Sequence, residues 1–293
     1  MADCPNCNAV LVDRTVTCPA CGVVLQPKAA TLTSAITTAE TRARAVRSPF
    51  SAAIVVALLL VSGVAWVIYT MISQSREMSG VLTADCRLKQ FGLATYNFQD
   101  RYGHLPPRNL PTLSGTMPSS AEADQVAQSF FTELLPFIDH VALHQQIDYG
   151  LPWRNPANKD AFSTIVAHYQ HPSIAVSPRN EEGYALAHYA TNSKVICDTK
   201  TARIAEIDDG TSNTVLLGTV NAGFKPWADP TNYRDPSKGF GGGPEAFGTP
   251  NRNGIIQLLR VDGSVLRIRA TLPLDICERL GDPRDGKAIP DVR

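Results

Sequence analysis

The chain has 293 residues, with 27 Lys plus Arg against 27 Asp plus Glu, 18% charged, 44% hydrophobic, and seven cysteines. That length can bury a sizeable core in one or two domains, and the apolar fraction excludes a mainly disordered chain. Zero net charge argues against a protein that coats nucleic acid, so no nucleic-acid partner is expected. An odd cysteine count excludes complete pairing within one chain.

Four of the cysteines fall in the first 21 residues, as Cys4-Pro5-Asn6-Cys7 and Cys18-Pro19-Ala20-Cys21, with ten residues between the pairs. Each Cys-x-x-Cys can turn both sulfurs toward one ion, and four thiolates complete a closed tetrahedral zinc site. The expected metal ligands are therefore Cys4, Cys7, Cys18 and Cys21, with zinc as the cofactor of a ribbon over residues 1–27. Metal binding of order 10 kcal/mol supplies what so small a module cannot obtain by burial. Iron held by the same sulfurs, and two disulfides in an oxidising compartment, are the competing readings.

Residues 28–49 are rich in Ala, Thr and Ser and end in Arg42, Arg44 and Arg47, the pattern of a basic linker. Phe50 to Ile72 then runs 23 residues without a charge. At about 1.5 Å per residue this spans a bilayer core of about 30 Å, which makes 50–72 a transmembrane helix and the lipid bilayer a partner. A cleaved signal peptide is the rival, disfavoured by a start some 50 residues in and by the length of the run. Three arginines precede the run, whereas Arg76 and Glu77 follow it and cancel. The positive-inside rule thus puts the N-terminus in the cytoplasm and residues 73–293 outside.

Beyond the span, Val81, Ala84, Leu88, Phe91, Thr95, Phe98 and Tyr102 recur in steps of three and four, one stripe of a helix with Arg87, Lys89, Gln90 and Asp100 off it. Gly80 is the expected break or bend between the two helical halves. Gly103 and Leu105-Pro106-Pro107 end the helix. A second helix is expected over 121–146, interrupted near Pro136, and 151–156 reads as a loop. Strands are expected at 193–197, 202–207 and 214–220. Ile255 to Val261 and Ser264 to Arg269 make a hairpin about Asp262-Gly263 with a two-residue primed turn. Trp227 to Pro250, with four prolines and five glycines, reads as a long surface loop. Its Gly241-Gly242-Gly243 lacks the Gly-Lys-Ser/Thr of a phosphate-binding loop.

The block Cys86-Arg87-Leu88-Lys89-Gln90-Phe91-Gly92-Leu93-Ala94-Thr95-Tyr96-Asn97, followed by Tyr102-Gly103-His104-Leu105-Pro106-Pro107, resembles a bacterial pilin-like family known as domain of unknown function 1559. The resemblance continues through Leu134-Leu135-Pro136-Phe137-Ile138, Leu151-Pro152-Trp153, Asp209 to Thr214 and Val261 to Val265, covering about 80–270. It implies an α+β, pilin-like fold: a long N-terminal helix, half in the membrane, packed by its outer half on an antiparallel sheet, here preceded by the zinc ribbon. It also implies a bacterial inner (plasma) membrane location. The family's usual Gly-Phe-Thr-Leu-x-Glu prepilin segment is replaced by Pro49-Phe50-Ser51-Ala52-Ala53-Ile54, without the glycine or the glutamate. Arg252 stands where the family commonly has His before Asp-Gly, and Gly218-Thr219 where it has Gly-Glu.

No catalytic set and no cofactor-binding loop is read from the chain. His140 and His144, four apart beside Asp139, have metal-binding spacing but lack a His-Glu-x-x-His arrangement, so packing histidines are expected. His168, His171 and His188 suggest no ligand triplet. Asp208, Asp209 and Asp262 are read as turn formers, with calcium as the alternative. Of Cys86, Cys197 and Cys277 at most two pair, in an order the sequence leaves open. Two function classes follow: a non-enzymatic, single-pass membrane protein with a structural or pseudopilin-like envelope role and protein partners (self or envelope proteins), or a signalling adaptor whose external domain binds a ligand or protein. An external hydrolase is the third and weakest reading.

Overall fold

The computed structural model describes residues 2–3, 6–7, 10–11, 21–23, 49–107, 129–196, 202–241, 243–249, 254–287 and 289. Two of the four expected metal ligands (Cys4 and Cys18), the linker 28–48, the start of the expected second helix at 121–128, Cys197 and Arg252 lie outside these residues. The chain divides into two compact units, residues 1–70 and 71–293.

In the first unit, β1 (Ala2–Asp3) pairs antiparallel with β2 (Val10–Leu11), Ala2 opposite Leu11 and Asp3 opposite Val10. Helix α1 (Pro49–Tyr102) is 54 residues long and begins in this unit. An 18-residue window of it reaches a mean hydropathy of 2.4 with none of its residues buried, which makes α1 long and apolar enough to cross a membrane. The side chains of Ile54, Leu59, Val64 and Trp66 are all exposed.

In the second unit α1 runs through Gly80 as continuous helix, without a break there. A glycine inside a helix costs only about 1 kcal/mol, which the neighbouring turns absorb. What the missing side chain provides is space: a Cβ at Gly80 would lie 2.5 Å from Ser173 Oγ. The expected stripe is the buried one, with Val81, Ala84, Leu88, Phe91, Thr95 and Phe98 almost fully enclosed and Tyr102 half exposed. Each fully buried Leu or Phe contributes about 2 kcal/mol. Gly103, at φ +80°, closes the helix, its N–H donating to Gln99 O at 2.7 Å.

The expected second helix is three short pieces. Helix α2 (Phe130–Leu134) starts at Ser129, whose hydroxyl accepts from Thr132 N–H at 3.1 Å. A 3-10 turn follows over Leu135–Phe137, with Pro136 in its first turn where the missing N–H costs nothing. Asp139, at φ +65°, then reverses the chain before α3 (Val141–His144), so a straight helix cannot run through. Helix α4 (Lys159–Phe162) follows the loop at 151–156.

The main sheet has the order β7-β4-β5-β8-β9, formed by β4 (Tyr189–Asn192), β5 (Val215–Thr219), β7 (Tyr233–Arg234), β8 (Ile255–Arg260) and β9 (Val265–Arg269). It is antiparallel except at one edge, where β4 and β7 run parallel. A separate pair joins β3 (Leu186–Ala187) and β6 (Lys225–Pro226). Three expected elements differ. The strand placed at 193–197 lies earlier, at 189–192, and 193–196 turn back with Val195 and Ile196 N–H both donating to Asn192 O. Residues 202–207 hold a 3-10 turn at Ile204–Glu206 instead of a strand. The stretch from Trp227 is no surface loop, because Trp227, Arg234, Phe240 and Phe247 are buried along it.

The β8–β9 hairpin forms as expected, but its turn is of another kind. Gly263 N–H donates to Arg260 O at 3.0 Å and Arg260 N–H to Ser264 O at 2.9 Å, leaving a three-residue connection. Only Gly263 takes positive φ, +81°, while Asp262 does not, so the twist is restored by a single left-handed residue. Alternation along β8 separates two cores. Leu259 joins α1, α2 and Trp227, whereas Ile256 and Leu258 join Phe240, Phe247 and the closing helix α5 (Leu274–Gly281) on the other face.

Candidate functional site

The first unit carries the expected metal residues only in part. Cys7 is exposed in the turn between β1 and β2, and Cys21 is half-buried in a second turn. Of the first Cys-x-x-Cys only Cys7 is among the described residues of that connection.

In the second unit the polar chemistry gathers between α1 and the sheet. Gln257, in the middle of β8, is buried on the face that turns toward α1. Its amide nitrogen donates to Val81 O at 2.9 Å and to the Asp85 carboxylate, and the other Asp85 oxygen pairs with Arg267 of β9. The Gln257 side-chain oxygen meets His171 Nε2 at 3.3 Å. The His171 tautomer follows from its other nitrogen: Nδ1 accepts Ser173 N–H at 3.1 Å, so the proton sits on Nε2 and is donated to Gln257. His171 in turn gives its backbone N–H to His188 Nδ1 at 2.8 Å. His188 Nε2 then carries the proton, buried and without a hydrogen-bond partner among the described residues, with the ring packed 5.0 Å from Phe224.

Burial pushes both imidazoles down to about 4, each further lowered by Arg87 and His188 also by His171. Both are neutral at neutral pH, as the hydrogen-bond pattern requires. Arg87, expected off the helical stripe, lies at its margin and donates to Gln170 O. The arrangement is a clamp: one glutamine satisfies a helix carbonyl, an aspartate and a histidine at once, and ties residues 81–85 to 171 and 257.

The other expected positions take packing or turn roles. The His140 ring sits 5.8 Å from His168, and that of His144 sits 5.0 Å from Tyr149. His171 and His188 come together, while His168 pairs elsewhere. Asp262 accepts from Ser264 N–H at 2.8 Å and Ser264 Oγ–H at 2.6 Å inside the hairpin connection. Asp209 accepts from Asp285 N–H at 2.7 Å and Gly286 N–H at 2.8 Å, fastening the C-terminal segment. Cys86 is exposed on α1 and Cys277 buried in α5, and neither is joined to the other. Asp85, Gln257 and Arg267 were not evident as a group in the sequence. The only signal was a polar letter inside the apolar run Ile255 to Val261.

Neither curated proteins nor solved structures include a significant match to this chain. The sequence pattern of one family, described as a protein of unknown function (DUF1559), matches residues 83–239, from the α1 stripe through β7. With more than half of its 293 residues matched, the chain belongs to that DUF1559 family.

Proposed function

We propose that the protein is a non-enzymatic, single-pass membrane protein of the bacterial inner membrane, with a cytoplasmic zinc ribbon and an external pilin-like domain in a structural or pseudopilin-like envelope role. The observation that carries this reading is the division of labour within α1. Its first half is apolar on every side and exposed, and its second half buries one stripe against a largely antiparallel sheet. A bilayer supplies the missing apolar surroundings of the first half. The β1–β2 hairpin around Cys7 supports the ribbon, and Arg42, Arg44 and Arg47 support the orientation.

The test is the N-terminus, mass and metal content of the chain extracted from membranes. An intact N-terminus with about one zinc per chain supports the reading. Removal of the first 49 or so residues sinks the permanently attached ribbon and favours pilin processing. Cys86, exposed and not joined to Cys277, reports topology: labelling by an impermeant thiol reagent in spheroplasts is expected, and protection until lysis overturns the external placement.

An adaptor role is the second reading, favoured by Pro49-Phe50-Ser51-Ala52-Ala53-Ile54, which lacks the glycine and glutamate that serve processing and subunit register. Cross-linking in membranes separates the two. A ladder of multimers supports a subunit, and one discrete adduct with another protein supports an adaptor.

A further inference from the structure

Contacts along α1 fix which way the hairpin runs within the 71–293 unit. Gln257 of β8 meets Val81 and Asp85, Arg267 of β9 meets Asp85, and the Gly263 connection lies against Gly92, further along the helix. β8 therefore runs away from the apolar stretch 50–72, and β9 runs back toward it. Arg269, two residues past Arg267, lies about 7 Å further in that direction, and the turn into α5 follows it. Residues 172–178 share this end: Gln170 is held by Arg87, and three residues later Ser173 sits against Gly80. Gly80 stands eight residues, about 12 Å of helix, beyond Ile72.

This end exposes apolar and basic groups together. The run Pro172-Ser173-Ile174-Ala175-Val176-Ser177-Pro178 carries no charge, and Val176 in it is 45% exposed. Leu274, the first residue of α5, is 58% exposed. Arg76 of α1 and Arg269 of β9 are both exposed, and neither has an ion-pair partner among the described residues. Of the nearby acidic groups, Glu77 is half-buried with its Oε1 enclosed, and Asp275 pairs with Arg279 at 3.4 Å.

We propose that this end is a lipid-contacting platform. Val176 and Leu274 enter the headgroup layer of the bilayer that α1 crosses, and Arg76 and Arg269 hold anionic headgroup phosphates, so the external unit rests on the membrane instead of swinging freely on α1. The inference rests on the membrane reading of α1. A headgroup layer about 5–7 Å deep takes up half of the helix between Ile72 and Gly80. The remaining roughly 6 Å is within reach of two loop residues or a long arginine side chain. Isolated apolar side chains beside cations are the composition that an anionic lipid surface retains.

The test uses the full chain, methyl-labelled at leucine and valine, in nanodiscs of phosphatidylcholine with or without phosphatidylglycerol. A gadolinium chelate on a lipid headgroup should broaden away the Val176 and Leu274 methyl signals in the anionic discs. It should spare Val261, two residues before Gly263 at the opposite end. Arg76→Gln combined with Arg269→Gln should restore most of both signals, as should omitting phosphatidylglycerol, because each arginine changes residence on an anionic surface about five-fold. A nitroxide on the lipid acyl chain, read at Val64, separates the platform from the span. Val64 broadened while Val176 and Leu274 stay as sharp as Val261 overturns the platform and leaves the span, the result also expected if this end docks a protein. Val64 unaffected overturns the membrane reading itself. Broadening at Val176 and Leu274 that persists unchanged in the double variant and in neutral discs overturns the arginine contacts with headgroups.

Discussion

The Gln257 side-chain amide donates to the main-chain carbonyl of Val81 at 2.9 Å, a hydrogen bond between the centre of the sheet and the interior of a helix 176 residues away. A helix-interior carbonyl already accepts from its own helix, so this bond uses its second lone pair and costs the helix nothing. The same amide reaches Asp85, and the side-chain oxygen takes the His171 proton. Replacing Gln257 by Leu keeps the volume but leaves a buried imidazole N–H and one Asp85 oxygen without this partner. A loss of about 2–4 kcal/mol is expected, read as a lower urea midpoint of the full chain in detergent. Gln257→Glu is expected to be worse, since it sets a second carboxylate against Asp85.

The acid response combines opposite slopes. His171 and His188 are held at about 4 in the fold against 6.5 unfolded, so their contribution is complete above 6.5 and is lost as pH falls through 4. Glu133, raised to about 7 from 4.5, contributes below 4.5 and loses that contribution as pH rises through 7. Going from pH 7 to pH 5, the two histidines cost ~2 kcal/mol each and Glu133 returns ~2 kcal/mol, a net loss of ~2 kcal/mol. Glu133→Gln removes the compensating slope. Its urea midpoint should fall about twice as steeply over the same interval, and equal slopes in the two chains would overturn the assignment.

The parts of this fold that could be read in advance are those where burial and letter agree over a long period. The α1 stripe from Val81 to Phe98 and the alternation of Ile256, Leu258, Leu266 and Ile268 are apolar where they are enclosed. The strand at 189–192 was missed because two of its four residues, Thr191 and Asn192, are polar yet buried. Asn192 is satisfied at long range, its amide donating to Val215 O and to Gly281 O, each at 2.7 Å. Gln257, His171 and His188 were hidden for the same reason: a polar group paid for by a distant partner looks in sequence like a surface residue. The glycines and prolines after Trp227 suggested solvent, but Trp227 is anchored by its Nε1–H on Thr164 O at 3.0 Å and the chain beyond it lines both cores.

Gly92 shows how closely α1 is pressed to the hairpin. A Cβ there would lie 3.0 Å from Gly263 Cα and 3.3 Å from Leu259 Cδ1. The first of these is backbone in a connection already fixed by Asp262 and Ser264, so it has little freedom to give way. Gly92→Leu is expected to cost about 1–3 kcal/mol despite the better helix propensity of leucine. Gly63→Leu, where nothing lies within 4 Å, is the control and should leave the urea midpoint of the 71–293 unit where it was.

The zinc assignment makes its own prediction at the other end of the chain. Two-residue strands such as β1 and β2 are far too short to hold a hairpin by their own pairing, and among the described residues of 1–23 no side chain belongs to either hydrophobic core. If four thiolates on one ion hold this module, metal and fold are lost together. The full chain purified without chelator should contain about one zinc, and Cys7→Ser or Cys21→Ser should lower that content sharply. In the wild-type chain a strong chelator should bring exchange of the Ala2, Asp3, Val10 and Leu11 amides to the unfolded rate, with α1 residues 81–98 unchanged. Retention of protection at 2–11 after the metal is gone would show that something other than zinc holds the hairpin.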